Sequence, residues 1–198
     1  FVYQSDGCYQ STDTLNVTQR PEPTTPDICL VTVDSLSTHN IIYWNKTGLN
    51  LVNHFNIYRE DVATFYNLIA LVPFDSLSEY HDYTSDPNVT TKRYKISSVD
   101  SCGVESALSK YHNTIYVTSS GNGQYNWNLY LIEPSTNPVT NFHLMRDDNA
   151  TGAWHQVGST AGTQQTLNDP AYASFPNADW RIETSWGISC ESTFRLSG

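Results

Sequence analysis

The four cysteines and six histidines are the residues of this chain best suited to metal binding or nucleophilic chemistry. The cysteines have neither the C-x-x-C spacing nor the neighbouring histidine of a structural zinc site, and they lie at Cys8, Cys29, Cys102 and Cys190. Disulfide bonds and buried thiols therefore remain as alternatives. No histidine has a hydrolase or metal-binding spacing, and no serine lies in a Gly-x-Ser-x-Gly turn. The pattern predicts no catalytic site, no metal and no cofactor.

Two further groups of side chains could bind a ligand. Calcium could be held in loops by Asp82, Asp86 and Asp100, or by Asp147 and Asp148, but no loop of the Asp-x-Asp-x-Asp-Gly type is present, so solvated turn carboxylates are favoured. Three rings could form a platform on which sugars stack: Tyr125, Trp127 and Trp154. Filling of the core explains most tryptophans in a module this small, so the platform is the weaker interpretation.

The charge of the chain argues against one class of partner. Its 198 residues include ten Lys and Arg against twenty Asp and Glu, a formal net charge of -10 that repels nucleic acid. No apolar run approaches the ~20 residues of a membrane span, so we expect no membrane insertion. The first residues lack the basic and apolar regions of a signal peptide. We therefore expect that Phe1 is not the native N-terminus and that any export signal lies outside this sequence.

An internal repeat organises the chain. Residues 52–60, Val-Asn-His-Phe-Asn-Ile-Tyr-Arg-Glu, recur 87 residues later as Val-Thr-Asn-Phe-His-Leu-Met-Arg-Asp. The same offset carries residues 80–82 onto 167–169, and a one-residue slip carries 93–96 onto 179–182. Cys102 and Cys190 lie 88 residues apart. Four blocks in one order predict a duplicated module whose loops differ slightly in length.

The elements that carry these blocks are predicted to be strands. Apolar and polar residues alternate within each block, and turn residues rich in Gly, Asn, Asp and Pro separate the blocks. No amphipathic pattern of helix length is present, so the fold class is all-β. We predict four segments: a remnant hairpin of a preceding module at 1–19, a Pro-rich linker at 20–26, module 1 at 27–117 and module 2 at 118–198.

The residues of the first copy resemble fibronectin type III domains, chiefly Ile-Ile-Tyr-Trp at 41–44, 55–60, 94–100 and 103–106. In that family a Trp on the second strand and a Tyr on the sixth fill the core, and Trp44 and Tyr94 match these positions. In the second copy Trp180 replaces Tyr94, while the 87-residue offset places Leu131 opposite Trp44, with Trp127 just before it. The resemblance implies two tandem fibronectin type III, immunoglobulin-like β-sandwiches.

The same topology implies a disulfide candidate. The start of the first strand and the loop between the last two strands share one pole, so Cys29 and Cys102 could meet. Buried free thiols are the competing interpretation.

More specifically, residues 27–195 resemble modules near the C-terminus of type IX-secreted surface proteins of Bacteroidetes, which implies export to the cell surface. The string Asp-Thr/Ser-Leu is similar to an O-glycosylation acceptor pattern of that group. It implies candidate sites at Thr14, Ser35 and Ser76, although such short strings also arise by chance in a chain rich in Ser and Thr.

These observations predict a non-catalytic extracellular segment that acts as a spacer or in adhesion within a larger secreted bacterial protein. The alternative is a carbohydrate-binding accessory module of a secreted hydrolase, and a role in secretion or gliding machinery is a weaker third. The expected partners are neighbouring domains of the parent protein and an extracellular protein or polysaccharide.

Overall fold

The computed structural model describes residues 2–5, 10–13 and 21–187 of the chain. The all-β prediction is confirmed: apart from one 3-10 turn at Tyr172–Ser174, the regular elements of the described residues are strands. In the described part of the chain, no helical segment has the length and apolar character needed to cross a bilayer. Strands β1 (Val2–Ser5) and β2 (Gln10–Asp13) form an antiparallel hairpin within the segment predicted to be a remnant of a preceding module.

Seven strands build module 1. They are β3 (Ile28–Val33), β4 (Asn40–Trp44), β5 (Val52–Val62), β6 (Phe65–Pro73), β7 (Glu79–Asp82), β8 (Arg93–Asp100) and β9 (His112–Asn113). One antiparallel sheet has the order β3-β4-β7, and the other has the order β6-β5-β8-β9. On the long β5, Phe55 and Ile57 pack inward and are fully buried, and Asn56 between them, on the other face, is also buried.

Module 2 repeats this arrangement with six strands in the described residues. They are β10 (Val117–Ser119), β11 (Gln124–Trp127), β12 (Val139–Asp147), β13 (His155–Ala161), β14 (Thr166–Asn168) and β15 (Asp179–Trp186). The sheet orders are β10-β11-β14 and β13-β12-β15. Each strand therefore has a counterpart in module 1, from β3 and β10 to β8 and β15.

A tryptophan from the second strand packs on a phenylalanine of the facing sheet in both modules. The rings of Trp44 and Phe55 lie 5.3 Å apart at 60°, and those of Trp127 and Phe142 lie 5.3 Å apart at 58°. Trp127 is therefore the counterpart of Trp44, and the expectation of Leu131 from the 87-residue offset is wrong. The physical reason is loop length: 15 residues separate Trp127 from Phe142, against 11 between Trp44 and Phe55.

Candidate functional site

In module 1 an arginine reaches from the middle strand of one sheet to a buried aspartate of the other. Arg59 Nη1 donates to Asp82 Oδ2 at 2.9 Å, and its Nε donates to Asp61 Oδ1 at 2.8 Å. The Tyr94 hydroxyl donates to the same Asp82 oxygen at 2.8 Å. The main-chain N–H and hydroxyl of Thr84 donate to the other oxygen at 3.1 and 2.7 Å. The Asp82 side chain has no exposed surface, so these donors satisfy it fully.

Module 2 contains the same arrangement with one aromatic exchange. Arg146 Nη1 donates to Asp169 Oδ2 at 2.7 Å, and Nε donates to Asp148 Oδ1 at 2.5 Å. Trp180 Nε1, in place of a tyrosine hydroxyl, donates to the same Asp169 oxygen at 3.0 Å. The N–H of Ala171 donates to the other oxygen at 2.9 Å. We call each set the Arg–Asp network of its module.

In the network of module 1, Asp82 stays ionised and Tyr94 stays neutral. Burial alone would raise the pKa of Asp82, but the hydrogen bonds from Thr84, Arg59 and Tyr94 outweigh it and lower the pKa below its ordinary value. Burial, together with the charge of Asp82, raises the pKa of Tyr94. An ionised carboxylate whose lone pairs are occupied by buried donors is poorly suited to act as a nucleophile or base. The networks are therefore structural links between the two sheets.

The loop carboxylates considered for calcium serve the turns instead. Asp100 Oδ1 accepts the N–H groups of Cys102 and Val104 at 2.8 and 2.9 Å, and Asp86 Oδ1 accepts the N–H of Asn88 at 2.8 Å. Such contacts from Asp side chains to nearby amides stabilise turns. Among the described residues, no group of three or more His, Cys, Asp or Glu side chains is arranged to hold a metal ion.

The junction between the modules is centred on Tyr130, which lies between β11 and β12 and is only 3% exposed. Its hydroxyl accepts the N–H of Val31 on β3 at 2.9 Å and lies 2.8 Å from Nδ1 of His112 on β9. The hydroxyl keeps its own proton, so it can donate to Nδ1 when the neutral imidazole carries its proton on Nε2. Trp186 of β15 contacts the Tyr130 ring edge-on, with centroids 4.8 Å apart. One side chain thus joins strands of both modules.

Main-chain contacts extend this junction. Asn113 donates its N–H to the Leu131 carbonyl at 3.3 Å, and Glu133 donates its N–H to the Tyr111 carbonyl at 3.0 Å. The Glu133 carboxylate accepts a hydrogen bond from Lys95 Nζ at 2.6 Å and another from the Tyr111 N–H at 3.2 Å. Residues 131–133 therefore run beside β9, as an added strand would.

The charge states of His112 and Glu133 at neutral pH suit the contacts that these side chains make in the junction. Burial lowers the pKa of His112 to about 4, so the imidazole is neutral and its Nδ1 can accept from Tyr130. The hydrogen bond from Lys95 lowers the pKa of Glu133, so that this carboxylate stays charged beside its partner. Apolar residues of both modules also form one continuous cluster. The two sandwiches are held by a packed, hydrogen-bonded joint.

A groove of about 770 Å³ lies beside the joint, between β3 of module 1 and β10 and β15 of module 2. Thr32 and Asp34 line it on the β3 side, Thr118 on the β10 side, and Arg181 and Glu183 on the β15 side. The groove separates β3 from β15, so the packed contact between the modules lies at Tyr130 and residues 131–133.

The core and platform predictions concern six aromatic residues. Trp44 and Tyr94 are fully buried, and Trp180 is partly buried against the core, stacked on Tyr125 at 5.3 Å. Tyr125 and Trp127 are each only 4% exposed. The guanidinium of Arg181 covers the ring of Trp154 at 4.2 Å. The three rings considered as a sugar platform therefore do not share an open face.

The predicted disulfide differs from the one present. Cys29 is disulfide-bonded, but Cys102 is not the other half of that bond. In this topology both residues can lie at the same end of the sandwich. Cys102, however, is exposed on a turn in which Asp100 accepts its main-chain N–H. Cys8 and Cys190 lie outside the described residues.

The three candidate glycosylation sites fall in different settings. Ser35 is exposed in the turn between β3 and β4, where Asp34 Oδ2 accepts the N–H of Leu36 at 3.1 Å. Ser76 is half-buried in the turn after β6, and its carbonyl accepts a hydrogen bond from the buried Lys46. Thr14 lies outside the described residues. Their modification stays a prediction.

Sequence reasoning missed the Arg–Asp networks and the role of Tyr130. The networks left a usable signal, because Arg59 and Arg146 occupy the same place in one repeated block, and Asp82 and Asp169 occupy the same place in another. When an arginine and an aspartate recur at matching positions of two predicted strands in both copies, they indicate a buried ion pair. Tyr130 left no such signal, since it serves a contact between modules and not a position within one.

These strand orders and cores define the chain as a tandem of fibronectin type III-like β-sandwiches. No protein-family model matches the sequence, and no curated protein matches it. Among solved structures, the chain is similar to a Fn3-like protein from Clostridium thermocellum, with 23% identity, 48% of this chain and 93% of that chain covered, and a TM-score of 0.41.

The chain is also similar in structure to parts of two longer proteins. For the chicken CNTN1 FN1-FN3 domains the identity is 10%, the coverage is 87% of this chain and 66% of that chain, and the TM-score is 0.40. For a beta-1,2-glucanase from Parabacteroides distasonis the identity is 20%, the coverage is 49% and 13%, and the TM-score is 0.40.

Proposed function

We propose that this chain is a non-catalytic extracellular segment that acts as a spacer, or in adhesion, within a larger secreted bacterial surface protein. The observation that carries the proposal is the joint at Tyr130. A spacer must keep a defined distance and direction between the domains on either side, which a flexible linker does not provide. The Tyr130 hydroxyl, the residues beside β9 and the continuous apolar cluster supply that stiffness.

The stiffness can be tested by small-angle X-ray scattering on the whole chain. We expect one arrangement of the modules to fit the wild-type curve. The double variant Tyr130→Phe, Glu133→Gln should require a broader distribution of lengths, because it removes the bridging hydroxyl and the charge facing Lys95. Tyr83→Phe, at a tyrosine that is 76% exposed, is the matched control and should match the wild type. A wild-type curve that needs several arrangements would contradict the spacer role.

The alternative function, a carbohydrate-binding accessory module, has less support. It was motivated by Tyr125, Trp127 and Trp154, of which the first two are buried and the third is covered by Arg181. Saturable binding to an insoluble polysaccharide in a pull-down would nevertheless favour it over the spacer. Loss of that binding on Arg181→Ala with Trp154→Ala would locate it.

We also propose, from the resemblance of residues 27–195, that the parent protein is exported by the type IX route of Bacteroidetes to the cell surface. Ser35, exposed on its turn, is then the best placed of the candidate O-glycosylation sites among the described residues. The intact mass of protein expressed in such a host should exceed the sequence mass by the mass of a glycan. An unchanged mass would refute the modification.

A further inference from the structure

Strand β15 lies at the edge of its sheet among the described residues, and it lines the groove beside the joint. Its counterpart in module 1, β8, is not an edge strand, because β9 pairs with it on the side away from β5. Module 1 therefore has seven strands where the described part of module 2 has six. The main-chain N–H and C=O groups along a strand edge need hydrogen-bond partners, so this edge is a place where a further strand can dock.

The inward side chains of β15 are also less covered than those of β8. Three inward residues of β8 are fully buried: Tyr94, Ile96 and Ser98. The residues that take the same register positions on β15 are only partly buried and line the groove: Trp180, Ile182 and Thr184. The groove therefore exposes part of the core of module 2, and a segment that covered it would be stabilised by burial of apolar surface.

Module 1 shows how this edge is closed. Ser106 donates its N–H to the Ser98 carbonyl at 2.9 Å, and Ser109 donates its N–H to the Ile96 carbonyl at 2.8 Å. The hydroxyls of these two serines accept the N–H groups of Ser98 and Ile96, each at 3.0 Å. The segment that follows β8 thus returns along its outer edge and satisfies the main-chain groups there.

The sequence after β15 repeats that returning segment. An offset of 86 residues relates the two strands, since it carries Tyr94 onto Trp180. The same offset, with no insertion or deletion, carries the Glu-Ser pair at 105–106 onto a second Glu-Ser pair at 191–192. The repeat therefore continues past the end of β15 into the part of the sequence that would close its edge.

We propose that residues 191–196 of this chain dock as a seventh strand on the groove-facing edge of β15. These residues lie outside the described part of the chain. In the proposed register Ser192 pairs with Thr184, as Ser106 pairs with Ser98 in module 1. A strand of six residues spans about 20 Å, which matches the stretch of β15 that lines the groove. The inference goes beyond the spacer role, because it gives the groove an occupant.

The length of the connection favours this segment over a strand from another molecule. Four residues, 187–190, separate the end of β15 from Glu191, as four residues, 101–104, separate the end of β8 from Glu105. A segment attached through so short a connection has a high effective concentration at the edge. A strand of a different protein, or of a second copy, would have to compete with it.

Nuclear magnetic resonance of the whole chain tests the proposal without any substitution. We expect nuclear Overhauser contacts between backbone protons of Thr184 and residues 191–193. Because Thr184 faces Phe142 as Ser98 faces Phe55, its N–H points away from β12, and its exchange with D₂O should be at least about 100-fold slower than that of an unstructured amide. Contacts from Thr184 to another segment, or to a second copy in a sample of mixed labelling, would overturn the proposal.

A proline substitution tests the register. Ser192→Pro removes the N–H that corresponds to the Ser106 donor, so the Thr184 amide should exchange at least about 10-fold faster while that of Ser98 is unchanged. Ser106→Pro should have the opposite effect, on Ser98 alone. Ser197→Pro, one residue beyond the proposed strand, is the matched control and should change neither amide.

Two further outcomes count against the docked strand. One is a wild-type Thr184 amide that exchanges as fast as an unstructured one, and the other is the same Thr184 exchange rate in the wild type and in Ser192→Pro. If Ser192→Pro does not fold, the wild-type contacts of Thr184 decide the question alone. None of these results changes the spacer role, which scattering tests.

Discussion

Replacing the buried aspartate of each Arg–Asp network tests whether the two modules are stabilised by the same device. Asp82→Asn and Asp169→Asn keep the side-chain shape but remove the charge that faces Arg59 or Arg146. In each module the amide can turn its oxygen toward the arginine. Its NH₂ group then faces a main-chain N–H, that of Thr84 or of Ala171, and no hydrogen bond forms.

The magnitude follows from these contacts. Breaking a buried ion pair by removing one partner costs about 3–5 kcal/mol of unfolding free energy. Each arginine keeps a second, partly exposed carboxylate, Asp61 or Asp148, which retains some of the stabilisation. We therefore expect about 3 kcal/mol for each variant, with the two values within about 1 kcal/mol of each other. The controls Asp61→Asn and Asp148→Asn remove the exposed carboxylates and should cost less than about 1 kcal/mol.

The assay is urea unfolding followed by tryptophan fluorescence, with circular dichroism as a second probe. Trp44 reports on module 1, and Trp127 and Trp180 report on module 2, so each variant should shift the transition of its own module first. A loss below about 1 kcal/mol for either buried variant would refute the network as a main link between the sheets. A loss as large for the exposed controls would refute the importance of burial.

Three further changes have defined outcomes. Burial lowers the pKa of His112 to about 4, so between about pH 4 and 6.5 the unfolded chain binds a proton that the folded chain does not. The free energy of unfolding should therefore be highest above this window and fall by about 3 kcal/mol as the pH drops through it. His112→Phe should remove this part of the pH dependence, as measured by urea unfolding at each pH. Gly162→Ala would bring a Cβ to 1.9 Å from the Val139 carbonyl oxygen and should lower stability by about 2 kcal/mol in thermal unfolding, whereas Gly187→Ala, which meets open space, should be neutral. Lys46 Nζ donates to the main-chain carbonyl of Phe74 at 2.6 Å, and Lys46→Met removes this donor. The free energy of unfolding in urea should fall by about 1–3 kcal/mol.

The architecture was largely predictable because its signals are local. Alternation in residues 52–60 and turn residues between blocks indicate strands, and the repeat shows that one module occurs twice. The resemblance to fibronectin type III domains predicted Trp44 and Tyr94 to lie in the core, and both are fully buried. The counterpart of Trp44 was misplaced because a fixed offset assumes equal loops, and the loop before Phe142 is four residues longer.

The functional features were harder to predict, because they depend on contacts between distant segments. Tyr130 joins Val31 and His112 across 99 and 18 residues, and no local pattern marks such a contact. The aromatic platform failed for a related reason: a sequence shows how many rings a module has but not which of them face water. Arg181 lies on β15 and Trp154 directly precedes β13, and their contact at 4.2 Å forms because these strands flank β12 in one sheet.

The duplication separates what the fold demands from what this chain adds. Both copies retain an arginine on the middle strand and a buried aspartate on the facing sheet, even though Tyr94 in one becomes Trp180 in the other. A tyrosine hydroxyl and an indole N–H can each donate to that carboxylate, so either aromatic residue satisfies the same buried acceptor. At the hairpin turn no buried group has to be satisfied, and there the copies differ: Val62 and Phe65 are exposed and apolar, whereas the matching residues are Asn149 and Gly152. The fold is therefore a constraint on the interior of each module, while the exposed turn is where module 1 departs from module 2.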